Sequence, residues 1–464
     1  MTRWSRLMHY AGSALAGAAL VGAVASSAPA QGAVTGPSGW VNPLKKRYLS
    51  GDALSVCDQG SFFVGGVPKV TNFGSSATAE GVPEQITIGQ MYVQFQIPSK
   101  RKGWPLVMVH GSGYSGAALD ATPDGREGWL AYSVRNNIPT FVVDQPGRGR
   151  SGFDRSIFHE ARVTGNLALI PTLGGGTSNN VWTSWFGHLI PAGSNITNGT
   201  LIRHSDPGDP DAAENPAVPS PAHGNYLPRY PIPPWPFSID PRMAAREGAL
   251  GPTPLAANNA YLALQSFKQL VPNTEATLPT SFCATCVPTT VAPSNTWSPR
   301  ALADLLEGLG GAVVSPHSQA SAQALHLVRV LKERGKLHLL KGLLIPEGGT
   351  DLLGAGLVPA DFDYVPLLVV NGDYRASAIR QGNWAAVAAI NARRAAGLGR
   401  AKAEVIDVDA AGFRGGRFLG TTHMNMLGTN NLQVFDLMLE WANENITNQP
   451  KATSCKGDKR SRDD

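Results

Sequence analysis

The sequence predicts an α/β fold, with a mostly parallel central sheet and helices on both of its faces. Continuous apolar runs recur in both halves of the chain, and such runs are typical of strands that are buried on both sides. In the second half these runs alternate with stretches of helical period, and strands connected through helices run parallel to their neighbours in the sheet. The chain has 464 residues, of which 42% are hydrophobic and 16% charged, so it can form one large domain with an insertion, or two domains.

The first predicted strands differ in pattern from those that follow them. Residues 60–70 and 85–97 alternate apolar and polar side chains, as half-buried antiparallel strands do. Residues 104–110 and 138–144 are mostly apolar, ending in His110 and Asp144, and predict buried strands with a helix at 128–136 between them. We therefore expect an antiparallel pair before the parallel strands.

Strands and helices alternate regularly after residue 298, which is the main support for a parallel sheet. The first of these helices, 298–309, has Ser298 as its N-cap and Pro299 at its first position. Further helices are expected at 319–334, 380–396 and 430–448, and strands at 312–317, 340–346, 365–370 and 403–408.

The N-terminus has the pattern of a secretory signal. Arg3 and Arg6 precede an apolar run of small residues at 11–24, and Ala28-Pro-Ala30 offers a cleavage site. The run is short for a membrane span and no later run approaches 18 apolar residues, so we expect an exported protein without a membrane anchor. Residues 1–30 are assigned to the signal peptide.

The rest of the chain divides where the regular alternation of strands and helices is interrupted. Residues 31–154 and 299–450 are expected to form the two parts of the core, with a charged tail at 451–464. Residues 155–298 lack regular alternation and contain a dense proline cluster at 216–241, so we interpret them as a lid insertion. Loops at the carboxyl ends of parallel strands border the site in such folds, which favours a lid over a solvent-facing appendage.

Charge and cysteine content bear on three questions: nucleic-acid binding, disulfide bonds and a zinc site. The formal charge is +5, but the basic residues are scattered and no nucleic-acid motif accompanies them, so we expect no nucleic-acid partner. Four cysteines in an exported protein predict two disulfides, and we prefer Cys283–Cys286 and Cys57–Cys455, with the two other pairings open. The Cys283-Ala-Thr-Cys286 segment has neither a second Cys-x-x-Cys nor an adjacent pair of histidines, so we expect no zinc.

Ser318 lies where a predicted strand changes into a helix. An apolar run ends at Val314, the serine follows in Pro-His-Ser-Gln-Ala, and helical residues begin at Gln319. Such a turn lifts a serine hydroxyl clear of the sheet and directs the next backbone N–H to the place where an oxyanion would form. The usual Gly-x-Ser-x-Gly pattern is altered, because Pro316 and Ala320 replace its glycines. Ala320 is small enough, whereas Pro316 removes a ladder donor.

A serine nucleophile needs a base and an acid further along the chain. His423 follows the last predicted strand and precedes the last helix, which is where the base is expected. Two acids compete for the third place, since Glu347 ends the strand after the serine helix and Asp373 ends the next one. The general pattern alone slightly favours Asp373.

Two glycine-containing turns complete the candidate site. His110-Gly-Ser-Gly follows a buried strand, and glycines let its backbone approach a ligand. We expect the N–H groups of Ser112 and Gln319 to be the oxyanion donors. The sequence Asp144-Gln-Pro-Gly-Arg-Gly-Arg-Ser follows the next buried strand, and we assign Asp144 a structural role.

Several longer motifs occur together in this chain. They are His110-Gly-x-x-x-Ser-Gly116, Thr122-Pro-Asp-Gly-Arg-x-Gly-Trp129, Asp144-Gln-x-Gly-Arg-Gly-Arg-Ser151, His317-Ser-Gln319 and His423-Met-x-Met with Asn430-Asn-Leu-Gln-Val. Together they resemble a small branch of secreted bacterial carboxylesterases in the α/β-hydrolase superfamily. In that branch the acid is a Glu after the sixth strand, which favours Glu347 over Asp373. Relatives carry two adjacent cysteines in the oxyanion turn, where this chain has Ser112 and Gly113, so a vicinal disulfide is lost while backbone donation can remain.

The resemblance implies an exported serine hydrolase that acts on a small carboxylic ester and needs neither cofactor nor metal. Ser318 would attack, His423 would move the proton and Glu347 would orient the imidazole. The alternatives are a binding protein that keeps the fold, or lyase-type chemistry on the same fold. The acyl and alcohol groups of the substrate stay open, and so does the oligomeric state, a dimer included.

Overall fold

The fold is described from a computed structural model of the chain. The described residues are 53–75, 82–122, 126–170, 185, 269–272, 297–349, 351–354, 356–372, 377–408, 410, 413–416, 418, 421–428 and 430–455. The strands are β1 (Val56–Thr71), β2 (Glu84–Pro98), β3 (Lys100–Arg101), β4 (Leu106–Val109), β5 (Thr140–Asp144), β6 (Ala312–Pro316), β7 (Leu340–Pro346), β8 (Leu367–Asn371), β9 (Ala403–Asp407) and β10 (Thr453–Ser454). The helices are α1 (Ala117–Asp120), α2 (Trp129–Arg135), α3 (Ser156–Thr164), α4 (Trp297–Leu309), α5 (Ala320–Glu333), α6 (Ser377–Ala395) and α7 (Asn431–Asn445).

One eight-stranded sheet organises the molecule, in the order β1-β2-β5-β4-β6-β7-β8-β9. The hairpin of β1 and β2 is antiparallel, and β2 also pairs antiparallel with β5. From β5 to β9 every neighbouring pair is parallel. The mostly parallel sheet predicted from the sequence is therefore confirmed, with its antiparallel strands at one edge.

Apolar clusters cover both faces of this sheet. On one face α2 and α7 pack together through Trp129 and Phe435, whose stacked rings have centroids 5.0 Å apart. On the other face α4, α5 and α6 contribute side chains such as Leu327 to a second cluster. Successive residues of β4 divide between the two, since Met108 lies in the first cluster and Val107 in the second. The strand is apolar throughout because both of its faces are buried.

The parallel strands bring polar residues to the carboxyl edge of the sheet, where the C-terminal ends of these strands lie. His110 follows β4, Asp144 ends β5, Ser318 lies just beyond β6 and Glu347 comes directly after β7. Because the carboxyl ends of parallel strands share one edge, residues far apart in sequence meet there.

The C-terminal end is attached to the antiparallel edge of the molecule. Strand β10 pairs antiparallel with β3, and a disulfide joins Cys57 of β1 to Cys455. The first residues of the predicted charged tail are thus tied to the core. Cys283, Cys286, the signal segment and most of the predicted lid lie outside the described residues. Among the described helices, none has the length and apolar character needed to cross a membrane.

Candidate active site

Ser318 occupies a strained turn between β6 and α5. Its φ is +52°, a left-handed conformation that residues with a Cβ rarely adopt and that costs about 1–3 kcal/mol. Gln319 already has helical backbone angles, so the turn from strand to helix is complete within two residues. Pro316 is accommodated at the last position of β6, opposite Val109 of β4. The absence of the usual glycine has therefore not removed the turn.

Two glycines let neighbouring loops approach the serine. A Cβ at Gly111 would lie 3.0 Å from the Cβ of Ser318 and 2.7 Å from His317 Nδ1. A Cβ at Gly349 would lie 3.0 Å from the carbonyl oxygen of Ser318. The distance at Gly111 leaves no room for a side chain, and a Cβ at Gly349 would force its neighbours to shift by a few tenths of an ångström. Glycine at these positions therefore lets both loops pack closely against the serine.

His423 connects the serine to an acid. Its Nε2 lies 2.8 Å from Ser318 Oγ, and its Nδ1 lies 2.8 Å from Glu347 Oε2. His423 is 8% exposed and Glu347 1% exposed, so water competes little for these contacts. An ionised carboxylate only accepts hydrogen bonds, so the ring carries its proton on Nδ1 and leaves the Nε2 lone pair for the serine hydroxyl.

Glu347 has the same unusual backbone conformation as the serine. Its φ is +51°, and its N–H donates to Val370 O at 2.8 Å. Strands β6 and β7 are therefore each followed, within two residues, by a left-handed residue whose side chain reaches His423. We infer that the two turns present the acid and the serine from adjacent strands to the same imidazole.

A set of buried contacts behind the acid was not predicted from the sequence. The N–H of Gly372 donates to Glu347 Oε1, and Arg380 donates to the carbonyl oxygen of the same glycine. Arg380 is 4% exposed and forms an ion pair with Asp407 at 3.0 Å. A Cβ at Gly372 would lie 2.9 Å from Glu347 Oε1, so a side chain there would displace the acid.

His317 also has a role that sequence reasoning missed. It stands directly before the serine in the chain, and the structure shows what its ring contacts. Its Nε2–H donates to the backbone oxygen of His423 at 2.8 Å, and the two imidazole centroids are 4.9 Å apart. The ring therefore holds the backbone of His423 as well as packing against its side chain.

The expected oxyanion donors border the serine. Ser112 follows Gly111 in the turn after β4, and Gln319 follows Ser318 itself. Within the described part of the chain neither backbone N–H donates to another protein group. Both groups are therefore free to donate to a substrate oxygen.

The turn that begins at Asp144 is held by its own hydrogen bonds. Burial alone would raise the pKa of Asp144, but hydrogen bonds from Arg150 and Gly116 outweigh it and hold the pKa below its usual range. The Gly116 N–H donates at 2.6 Å, and Arg150 contributes both its backbone N–H and its guanidinium, each at 2.8 Å. These contacts join two loops of the core, as expected for a structural residue.

Residues of the predicted lid reach the site at two described points. The ring of Trp185 lies 5.4 Å from that of Tyr114 and 6.4 Å from that of His423, measured between centroids. Val271 N–H donates to Gly113 O at 2.8 Å. Described residues of this segment therefore lie against both the turn after β4 and the histidine. The alternative acid Asp373 lies outside the described residues.

Comparison with known proteins finds an esterase and a lipase that are similar to this chain. No family model matches the sequence. A solved structure of a bacterial esterase has a TM-score of 0.57 and 25% identity, over 85% of this chain and 98% of the esterase. A curated protein from Fungal sp. (strain ATCC 74256), described as "Probable secreted lipase phiG", is 33% identical over 103 residues. That match spans 22% of this chain and 27% of the fungal protein, about a quarter of its length.

The two matches differ in how much of each protein they cover, and only the structural match supports the fold of the whole chain. The fungal match is local, whereas the structural match extends over nearly the whole esterase. The mostly parallel sheet and the serine-bearing turn were both expected from the sequence. Because the structural likeness covers 98% of the esterase and the sheet is mostly parallel, the chain has the α/β-hydrolase fold.

Proposed function

We propose that the protein is an exported serine hydrolase that cleaves carboxylic esters through Ser318, His423 and Glu347. The observation that carries this proposal is the pair of 2.8 Å contacts made by the His423 ring. The likeness to a bacterial esterase supports ester hydrolysis as the reaction. The predicted signal peptide, the Cys57–Cys455 disulfide and the partial match to a protein described as a secreted lipase support export.

Acylation begins when Ser318 Oγ attacks the carbonyl carbon of the ester. The hydroxyl proton passes to His423 Nε2, and Glu347 stabilises the imidazolium that results. The N–H groups of Ser112 and Gln319 donate to the oxyanion of the tetrahedral intermediate. The imidazolium then protonates the leaving alcohol as the C–O bond breaks, which leaves the acyl group on the serine.

Deacylation repeats these steps with water as the nucleophile. His423 Nε2 takes a proton from water, the hydroxide attacks the acyl carbon, and the same two N–H groups hold the second oxyanion. Collapse of this intermediate releases the carboxylic acid and returns the proton to Ser318 Oγ. All of these steps use side chains and backbone groups of the protein alone.

The aromatic surface beside the histidine favours an ester with a bulky apolar group. Trp185 forms this surface, and it packs against Tyr114, a buried member of the apolar cluster on that face of the sheet. Aromatic side chains bury large areas of ligand, and apolar area contributes roughly 25 cal/mol per Å². We expect esters with aromatic or medium-length acyl or alcohol groups to react faster than acetates.

The first experiment compares the secreted protein with the Ser318→Ala variant on p-nitrophenyl esters of increasing acyl length. Loss of about 10⁴-fold or more in kcat/KM is expected for the variant. Labelling of the native protein by a serine-directed phosphonate, absent from the variant, separates an enzyme with a narrow substrate range from a binding protein. Equal activity in both proteins would show that the nucleophile is misassigned.

A second experiment separates the two candidate acids. Glu347→Gln should lose activity strongly, because the imidazolium is no longer opposite a negative charge, whereas Asp373→Asn should stay near the native rate. The reverse result would assign the third role to Asp373. Circular dichroism of both variants checks that each is folded.

A further inference from the structure

We propose that Arg148 is a positioning residue that holds the two oxyanion donors in fixed relation to each other, a role that rests on the proposed function. Arg148 is 1% exposed and lies between the turn after β4 and the start of α5. One guanidinium nitrogen, Nη1, donates to Gly111 O at 3.3 Å, and the other, Nη2, donates to Gln319 Oε1 at 2.8 Å. A single planar group thus contacts both loops that supply the donors.

The first contact acts on the peptide that contains the Ser112 N–H. The carbonyl of Gly111 belongs to that same peptide, and in a planar trans peptide the C=O and N–H point in opposite directions. Fixing the carbonyl therefore fixes the direction of the Ser112 N–H. A hydrogen bond to the carbonyl also polarises the peptide and strengthens the N–H as a donor.

His110 assists Arg148 at this carbonyl. His110 Nε2 accepts the Gln145 N–H at 3.1 Å, so its proton is on Nδ1, which donates to Gly111 O at 2.9 Å. Burial, and secondly the charge of Arg148, lower the pKa of His110 to about 4. The ring therefore stays neutral at ordinary pH and keeps this tautomer.

The second contact acts on the residue that provides the other donor. The Gln319 side chain is held by Arg148, and its own backbone N–H follows the serine. The two contacts come from one rigid fork, which sets the spacing between the loops. A lysine has the same charge but a single nitrogen, so it cannot make both contacts with this geometry.

The test uses Arg148→Lys together with Gln319→Met, which removes the side-chain acceptor and keeps the backbone donor. The matched control is Arg150→Lys, in the same turn, where the guanidinium binds Asp144 instead of the oxyanion loops. Each protein is assayed on a p-nitrophenyl ester and on its thionoester, in which sulfur replaces the carbonyl oxygen. Sulfur is a poor hydrogen-bond acceptor, so the thionoester makes little use of the oxyanion donors.

For Arg148→Lys we expect kcat on the ester to fall by about 10- to 100-fold with little change in KM, because removal of a whole donor costs about 10²- to 10³-fold. The thionoester rate should fall much less, so the ratio of ester to thionoester rates drops. Gln319→Met should lower this ratio in the same direction by a smaller factor. Arg150→Lys should keep the native ratio.

Equal loss on both substrates in Arg148→Lys would overturn the proposal and leave the residue a structural role. If that variant does not fold, Gln319→Met decides the matter, because the Gln319 side chain is partly exposed and its replacement leaves the core intact. An unchanged ratio in Gln319→Met then overturns the proposal. If the native protein neither hydrolyses esters nor reacts with the phosphonate, the proposed function fails first and this role fails with it.

Discussion

Two groups of serine, histidine and acid lie at the same edge of the sheet, and their hydrogen bonds differ in kind. We name the group beyond β6 and β7, to which the proposed function assigns catalysis, the reactive set, and the group beyond β4 and β5 the structural set. The reactive set is Ser318, His423 and Glu347, and the structural set is Ser151, His110 and Asp144. The same three kinds of side chain therefore occur twice within one edge of one protein.

In the structural set the serine and the histidine bond to backbone groups. His110 uses one ring nitrogen on Gly111 O and the other on the Gln145 N–H. Ser151 Oγ donates to Asp144 O and accepts the Tyr92 N–H at 2.8 Å. Both ring nitrogens of His110 and the hydroxyl proton of Ser151 are thus engaged by backbone groups, so these hydrogen bonds hold loops together.

In the reactive set each side chain meets another titratable or nucleophilic side chain. His423 lies between Ser318 and Glu347, at 2.8 Å from each. Two further hydrogen bonds hold the set in place, one from the His317 ring to the backbone oxygen of His423 and one from the Gly372 N–H to Glu347. Residue type therefore does not distinguish a catalytic group from a structural one. The chemical nature of the hydrogen-bond partners does.

The largest expected difference between the sets is at the two serines. Ser318→Ala should lower kcat/KM by about 10⁴-fold or more with little change in the free energy of unfolding, since it removes the nucleophile from a strained turn. Ser151→Ala should leave kcat within about threefold and lower the free energy of unfolding by about 2 kcal/mol, because two buried backbone groups lose their partner. Ester kinetics and urea unfolding measure the two effects. A Ser151 variant that folds normally but is inactive would contradict the division into two sets.

The two acids should separate in the same way, with a smaller loss of activity. Glu347→Gln should lower kcat by about 10³- to 10⁴-fold, as expected when an imidazolium loses its charged partner. Asp144→Asn should mainly destabilise the fold, by about 2 kcal/mol, because the Arg150 guanidinium loses its carboxylate while its 37% exposure lets water replace part of the contact. Thermal unfolding and kinetics on the same preparations test both. If Asp144→Asn were the more damaging to kcat of folded protein, the assignment of the acids would be reversed.

The sequence predicted most of the sheet because burial on both faces imposes a pattern that does not depend on distant residues. The apolar runs of β4 to β8 are of this kind, and the strand predicted at 340–346 has the observed bounds. The pairing of β10 with β3 was not predicted, since two residues at each strand are too few for any periodicity. Its position depends on a contact between two segments that are far apart in the sequence.

The site could be predicted in outline but not in its supporting contacts. Motifs that follow strands indicated Ser318 and His423, because the turn after each strand has a defined place in the fold. The bonds of His317 and Arg380 to backbone oxygens depend on how loops from different strands meet, and no local pattern records that. Likewise the positive φ of Glu347 has no signal in its residue type, since glutamate rarely adopts it.

The smallest expected effect concerns how the structural set responds to acid. Burial lowers the pKa of His110 from 6.5 to about 4, so between these values the unfolded chain binds a proton that the folded protein does not. Stability from this residue is complete above pH 6.5 and is lost as the pH falls towards 4, by roughly 3 kcal/mol in total. In His110→Gln this part of the acid sensitivity should disappear.

The measurement is the slope of unfolding free energy against pH between 4 and 7, because the slope is independent of the hydrogen bonds that the substitution also removes. His326 provides a positive control. Burial, and secondly the charge of Arg329, lower the pKa of His326 to about 4, and this residue of α5 belongs to neither set. His326→Gln should flatten the same part of the curve, and the double variant should flatten it further. Parallel curves for the native protein and His110→Gln would mean that His110 takes up a proton as readily in the folded protein as in the unfolded chain. That result would contradict the Nε2 acceptor role of His110 towards the Gln145 N–H.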